Sequence, residues 1–198
     1  AHYDLAAARW GAANATDPAV RFELGRLLSE RYALLLDLGR NEEAAGDLEH
    51  SATLMTALAE EGCGADEFSA QLARTLLWRG RLAQGRGALE EARADMTRAL
   101  EWARRVSSAD DPDGSRAYAV LVIRSALTRL AFAAGDARAA LEELLEVADG
   151  MNRLVEQHPV RLSFRRAAAE LERDIAVALI QGGRDEDAIA HADLAVEN

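Results

Sequence analysis

Side chains able to do chemistry are few and scattered in this 198-residue chain. His2, His50, His158 and His191 show no His-x-x-x-His or His-Glu-x-x-His spacing, so no helix face offers a metal ion two imidazoles. The loop Asp110-Asp111-Pro112-Asp113-Gly114 resembles a calcium loop only superficially. Its first ligand would be Ala109 and its twelfth Val120, where a bidentate glutamate is required, so a polar turn is expected. Carboxylate pairs recur at Glu42-Glu43, Glu90-Glu91 and Glu142-Glu143, each at the start of a helical segment where negative charge complements the helix dipole. Recurrence of that kind marks structure rather than acid–base catalysis. Cys63 stands alone, with no histidine near it in sequence, and no Gly-x-Ser-x-Gly elbow is present. The expectation is a non-enzyme with no catalytic, cofactor-binding or metal residues.

Charge excludes more. All 23 basic residues are arginine, against 34 acids, for a net charge of -11. Without lysine there is no P-loop lysine, no pyridoxal Schiff-base lysine and no kinase strand lysine. The acidic balance argues against nucleic acid as a partner, because phosphate binding needs cationic neutralisation. Apolar runs of only a few residues predict no bilayer crossing. A single cysteine forms no intrachain disulfide, and Ala1-His2-Tyr3-Asp4-Leu5 lacks the basic and apolar regions of a signal peptide, so the cytoplasm is the expected compartment. Residues 188–196 are still helical in pattern where the chain stops, which reads as a piece of a longer polypeptide. The lysine-free, alanine-rich composition is one associated with GC-rich bacterial genomes.

The elements that position these residues are repeated. Glycines fall at Gly39, Gly87, Gly135 and Gly183, a constant step of 48, with an alanine five residues after each and a small or apolar residue twelve after (Ser51, Ala99, Val147, Ala195). Glycine suits a helix-ending turn because it takes positive φ without a Cβ penalty. Apolar residues recur at helical spacing on both sides of the first turn, at Leu24, Leu27, Leu28, Leu34 and Leu35 and then at Leu48, Leu54, Met55 and Leu58. Pro18, Pro112 and Pro159 lie near the start of a repeat's first helix, where a missing N–H costs little. The first helices are expected at 22–37, 70–85, 118–133 and 166–181, and the second at 39–61, 87–109, 135–157 and 183–198. Stacking would bury apolar faces that no single repeat could bury alone.

Gly87-Ala88-Leu89-Glu90-Glu91-Ala92 followed by Ala99-Leu100 resembles the second half of a tetratricopeptide repeat (TPR). The resemblance covers residues 15 to 198 as repeats at 15–62, 63–110, 111–158 and a truncated 159–198. Residues 1–14, with Leu5 and Trp10, would be the end of a preceding helix or a capping segment. The usual period is about 34 residues, so this is an extended variant resembling repeats in large bacterial signalling proteins, including those appended to serine/threonine kinases. The small residue expected inside the first helix is matched by Gly80 and Ala176 but not by Tyr32 or Thr128. The resemblance implies an all-α, right-handed α-solenoid whose first helices line a concave groove and whose second helices form the convex back.

On that assignment the first helices carry nine arginines against six acids, and the second helices eight against 21. Arg74, Arg79, Arg81, Arg124 and Arg129 fall on the middle two first helices, which hold no acid. In the family's register Arg74, Trp78, Arg81, Tyr118, Ser125 and Arg129 would face the groove. Arginine offers a planar fork to carboxylates and aromatic rings offer rigid contact area. The expected partner is a protein or peptide segment, acidic or carrying its C-terminal carboxylate, bound without cofactor. The carboxylate-clamp members of the family use lysine and asparagine, so that activity does not transfer to a lysine-free chain. The alternative is self-assembly as a homo-oligomer, or a regulatory or sensor arm of a multidomain signalling protein.

Overall fold

The computed structural model describes residues 17–62, 65–106 and 111–197, and every regular element among them is an α-helix. In chain order these are α1 (Pro18–Asp37), α2 (Asn41–Glu60), α3 (Ala65–Gly85), α4 (Leu89–Arg105), α5 (Ser115–Ala133), α6 (Ala137–Gln157), α7 (Leu162–Gln181) and α8 (Asp185–Glu197). The segment 1–14, Cys63 and Asp110 lie outside the described residues. Among the described residues no helix is long and apolar enough to cross a membrane.

Helix limits have local causes. Asp17 caps α1 by accepting the Ala19 N–H at 2.9 Å, and Pro18 takes the first helical position. In the loop before α5 the Asp111 carboxylate accepts the N–H groups of Arg116 and Ala117, and Asp113 accepts from the Ser115 N–H and hydroxyl. The acidic loop is a capping device. At the four hairpin turns Gly39, Gly87, Gly135 and Gly183 have φ of 70°, 80°, 94° and 71°. Each is followed by a residue whose N–H reaches back five positions: Arg40 to Leu35, Ala88 to Ala83, Asp136 to Ala131 and Arg184 to Leu179, at 2.8–3.1 Å. That bond closes a Schellman turn, which satisfies a carbonyl the helix end would otherwise orphan.

The helices form two compact units, residues 1–107 and 108–198. In the first, α1 packs on α2, α2 on α3 and α3 on α4; in the second, α5 to α8 follow the same order. The first core holds fully buried Leu48, Met55, Leu58, Leu72, Leu76 and Met96. The second is built on Leu144, Met151, Phe164, Leu171 and Ile175. Helices α3 and α4 approach closely at Gly80, where a Cβ would stand 2.8 Å from Met96 Cγ and 3.1 Å from the Ala92 carbonyl oxygen. The repeat-equivalent Tyr32 and Thr128 are also buried, so their bulk is accommodated rather than expelled. Close approach in those hairpins moves to Gly25 against Met55 and to Gly150 against Leu121.

Candidate functional site

On α3, Gln71, Arg74, Trp78 and Arg81 are spaced three and four residues apart and so share a face. Gln71 is buried, and its amide donates to Ser29 Oγ on α1 at 2.8 Å. Its oxygen accepts a hydrogen bond from Arg74, whose guanidinium lies 5.1 Å from the centre of the Trp78 ring. Trp78 in turn stacks on Tyr32 of α1, with centroids 5.8 Å apart and planes 21° from parallel. Both rings rest on a core group of Leu35, Ala44 and Leu48. The indole therefore has one side in the core and an edge at the surface.

Electrostatics follow from this crowding. Desolvation pulls the Arg74 pKa below its usual value, with the nearby Glu30 charge pulling the other way. Burial pushes the Tyr32 phenol up, and the positive charge of Arg81 opposes that shift. Alongside, Glu23, Arg26 and Glu30 on α1 form an ion-pair ladder at 2.7 and 2.6 Å. Among the described residues no carboxylate lies within 4 Å of the Arg74 guanidinium, which its neutral neighbours Gln71 and Trp78 hold in place.

The other arginines counted on the middle first helices are engaged differently. Arg79 grips Asp95 of α4 at 2.6 and 2.7 Å and also holds Glu49 of α2 at 2.6 Å. Those carboxylates raise its pKa, the hydrogen-bonded Asp95 most of all. Arg124 bonds Glu143 at 2.7 Å and Glu146 at 3.0 Å, both on α6, and Arg129 bonds Asp174 of α7 at 2.5 Å. Arg79, Arg124 and Arg129 are thus ion-paired within their own units. The neutralising acids come from neighbouring helices, which a helix-by-helix charge count keeps apart.

The six expected site residues divide accordingly. Arg74, Trp78 and Arg81 come together in the first unit. In the second, Tyr118 stacks on Phe164 at 4.9 Å, Ser125 is buried with its hydroxyl donating to the Val122 carbonyl at 3.2 Å, and Arg129 is held by Asp174. Gln71, Ser29 and Tyr32 were not among the site residues expected from the sequence. Gln71 was detectable, since it stands three residues before Arg74, whereas Ser29 and Tyr32 join only through the approach of α1 to α3. No group of three His, Cys, Asp or Glu side chains able to hold a metal ion occurs among the described residues.

No protein-family model matches the chain, and no curated protein matches it. Solved structures do. The crystal structure of BtubC (BKLC) from P. vanneervenii aligns with a TM-score of 0.71 at 16% identity, covering 98% of this chain and 69% of that one. A de novo designed helical repeat protein, DHR64, aligns at a TM-score of 0.48 and 20% identity, covering 91% and 93%. MamA MSR-1 C2 aligns at 0.30 and 16%, covering 87% and 95%. At such identities the likeness is one of fold. The chain is an all-α protein of the helical-repeat class, consistent with the tetratricopeptide-like reading of its turns.

Proposed function

We propose that the protein is a non-enzymatic interaction module that binds a protein or peptide segment on the Arg74–Trp78–Arg81 face, with no cofactor. The carrying observation is the state of Arg74: a guanidinium fixed by Gln71 and Trp78, with no carboxylate within 4 Å among the described residues. A carboxylate from a partner supplies what that position lacks, and the Trp78 edge gives it a rigid platform. Binding of an acidic octapeptide with a free C-terminus, followed by fluorescence anisotropy, tests this. Arg74→Glu should weaken it at least tenfold, the scale of one charge-assisted hydrogen bond at about 1.5–3 kcal/mol. Equal affinity for both forms would end the proposal.

A second reading, self-association, is favoured by the last hairpin. Val177, Ile180, Ile189 and Val196 are exposed, while Leu141 and Ala148, 48 residues before the latter two, pack into the second core. Light scattering of the chain and of a Val177→Ser/Ile180→Ser/Ile189→Ser form separates the readings. A monomer at high concentration in both forms eliminates self-association.

A further inference from the structure

Glu186, Ile189 and Asp193 of α8 are spaced three and then four residues apart, so they share one helix face, and all three are exposed. Ile189 is 63% exposed. Neither carboxylate makes a hydrogen bond or ion pair to any described residue. The face therefore presents two unpaired negative charges about 10.5 Å apart along the helix axis, with an apolar side chain between them. Glu142, Leu145 and Asp149 of α6 repeat the spacing, but there Arg138 bonds Glu142 at 3.4 Å, and Leu145 is only 37% exposed.

The Arg74–Trp78–Arg81 face of α3 carries the converse charges at matching intervals. Its arginines are also seven residues apart, with the indole edge between them, and its steps are four and then three. Taken from its C-terminal side, the α8 face has the same steps, four from Asp193 to Ile189 and three from Ile189 to Glu186. Antiparallel placement thus sets Asp193 against Arg74, Ile189 against Trp78 and Glu186 against Arg81 in one register. Parallel placement would set Ile189 opposite Leu77, which is buried. Glu30 of α1, whose charge reaches Arg74, is itself held by Arg26 at 2.6 Å, so α1 does not fill the carboxylate position.

Resting on the reading of the Arg74 face as a carboxylate-binding surface, we propose that its partner is a second copy of this chain, whose Glu186–Ile189–Asp193 face docks on it antiparallel. Each face covers what the other leaves exposed. A guanidinium takes both oxygens of a carboxylate in one plane, the mode in which Arg79 already engages Asp95. Ile189 leaves water for the indole edge, which removes apolar surface on both sides. Because the two faces are unlike, every copy presents one of each and the association is heterologous.

Sedimentation velocity of the full chain over a concentration series at physiological salt tests this. The average mass should rise with concentration, and a saturating amount of the acidic octapeptide should reverse the rise. Arg74→Asp and Asp193→Arg should each raise the dissociation constant about tenfold, the scale of one charge-assisted hydrogen bond. An equimolar mixture of these two variants should associate again, because Arg74 of one then meets Asp193 of the other. Ile189→Ser should weaken association, and Leu145→Ser on α6 should leave it unchanged. All four side chains are exposed, so circular dichroism should show helicity retained. A chain that stays monomeric throughout while the octapeptide still binds would overturn self-docking and leave the carboxylate-binding reading in place; loss of octapeptide binding as well would end both. Association that Arg74→Asp leaves undiminished, or that the mixture does not restore, would overturn it too, since α8 would then adhere to itself. Loss on Leu145→Ser in place of Ile189→Ser would overturn the assignment to α8.

Discussion

Arg79 on α3 holds both carboxylate oxygens of Asp95 on α4, and the pair recurs 48 residues earlier as Arg31 and Asp47 on α1 and α2. The two aspartates are buried, and neither arginine side chain is more than about a quarter exposed. Such a bridge is a geometric lock between antiparallel helices, and its removal from one side leaves a carboxylate without its partner.

Arg79→Leu is accordingly expected to cost about 2 kcal/mol, discounted from the value for fully buried pairs because part of the guanidinium reaches solvent. Urea unfolding followed by circular dichroism measures it. Arg79→Leu/Asp95→Leu should cost less than the two single changes added together. Strict additivity would show that the pair contributes no coupling.

Two glycines should respond to alanine in opposite directions. At Gly80 the new methyl meets Met96 and the Ala92 carbonyl, and a loss of about 1–3 kcal/mol is expected despite the better helix propensity. At Gly46 it meets nothing, so a gain of about 0.5–1 kcal/mol should appear. Thermal unfolding of both variants beside the parent decides it, and equal shifts would contradict the close approach of α3 to α4.

Asp113 sets an acid dependence in the second unit. The Ser115 hydroxyl and backbone N–H, together with Arg161, hold its carboxyl well below the usual range. A pKa depressed in the folded state gives stability that is present above the unfolded value, near pH 4, and is lost as pH falls through the folded one. The stability difference between the parent and Asp113→Asn should therefore be constant from about pH 5 upward and shrink progressively below about pH 4. A difference that persists unchanged to pH 2 would remove Asp113 from this role.

Cross-hairpin bridges differ between the units in a way no local pattern announces. In the second unit the bridge positions of Arg31 and Arg79 are taken by Leu127 and Ile175. Arg124 bonds Glu143 instead, and one repeat later the polarity is reversed, with Glu172 on α7 and His191 on α8 2.6 Å apart. The second oxygen of buried Glu172 accepts from Asn152 at 2.9 Å. Partners 16 residues apart in one unit become partners 19 apart in the other, a change of nearly one helical turn.

Residue types alone determined the helices, their turns and the step of 48, because each depends on a few neighbouring residues. A left-handed turn asks for glycine, a first helical position tolerates proline, and apolar spacing betrays a helix face. The expected C-terminal ends of all four first helices, at Asp37, Gly85, Ala133 and Gln181, coincide with those observed for the same reason. Which arginine is ion-paired within the chain was decided by tertiary structure. Arg74 and Arg79 are five residues apart on one helix, yet one faces Trp78 and the other Asp95, because helix rotation and the choice of neighbour assign the acids. Charge counted along a chain carries no information about that rotation.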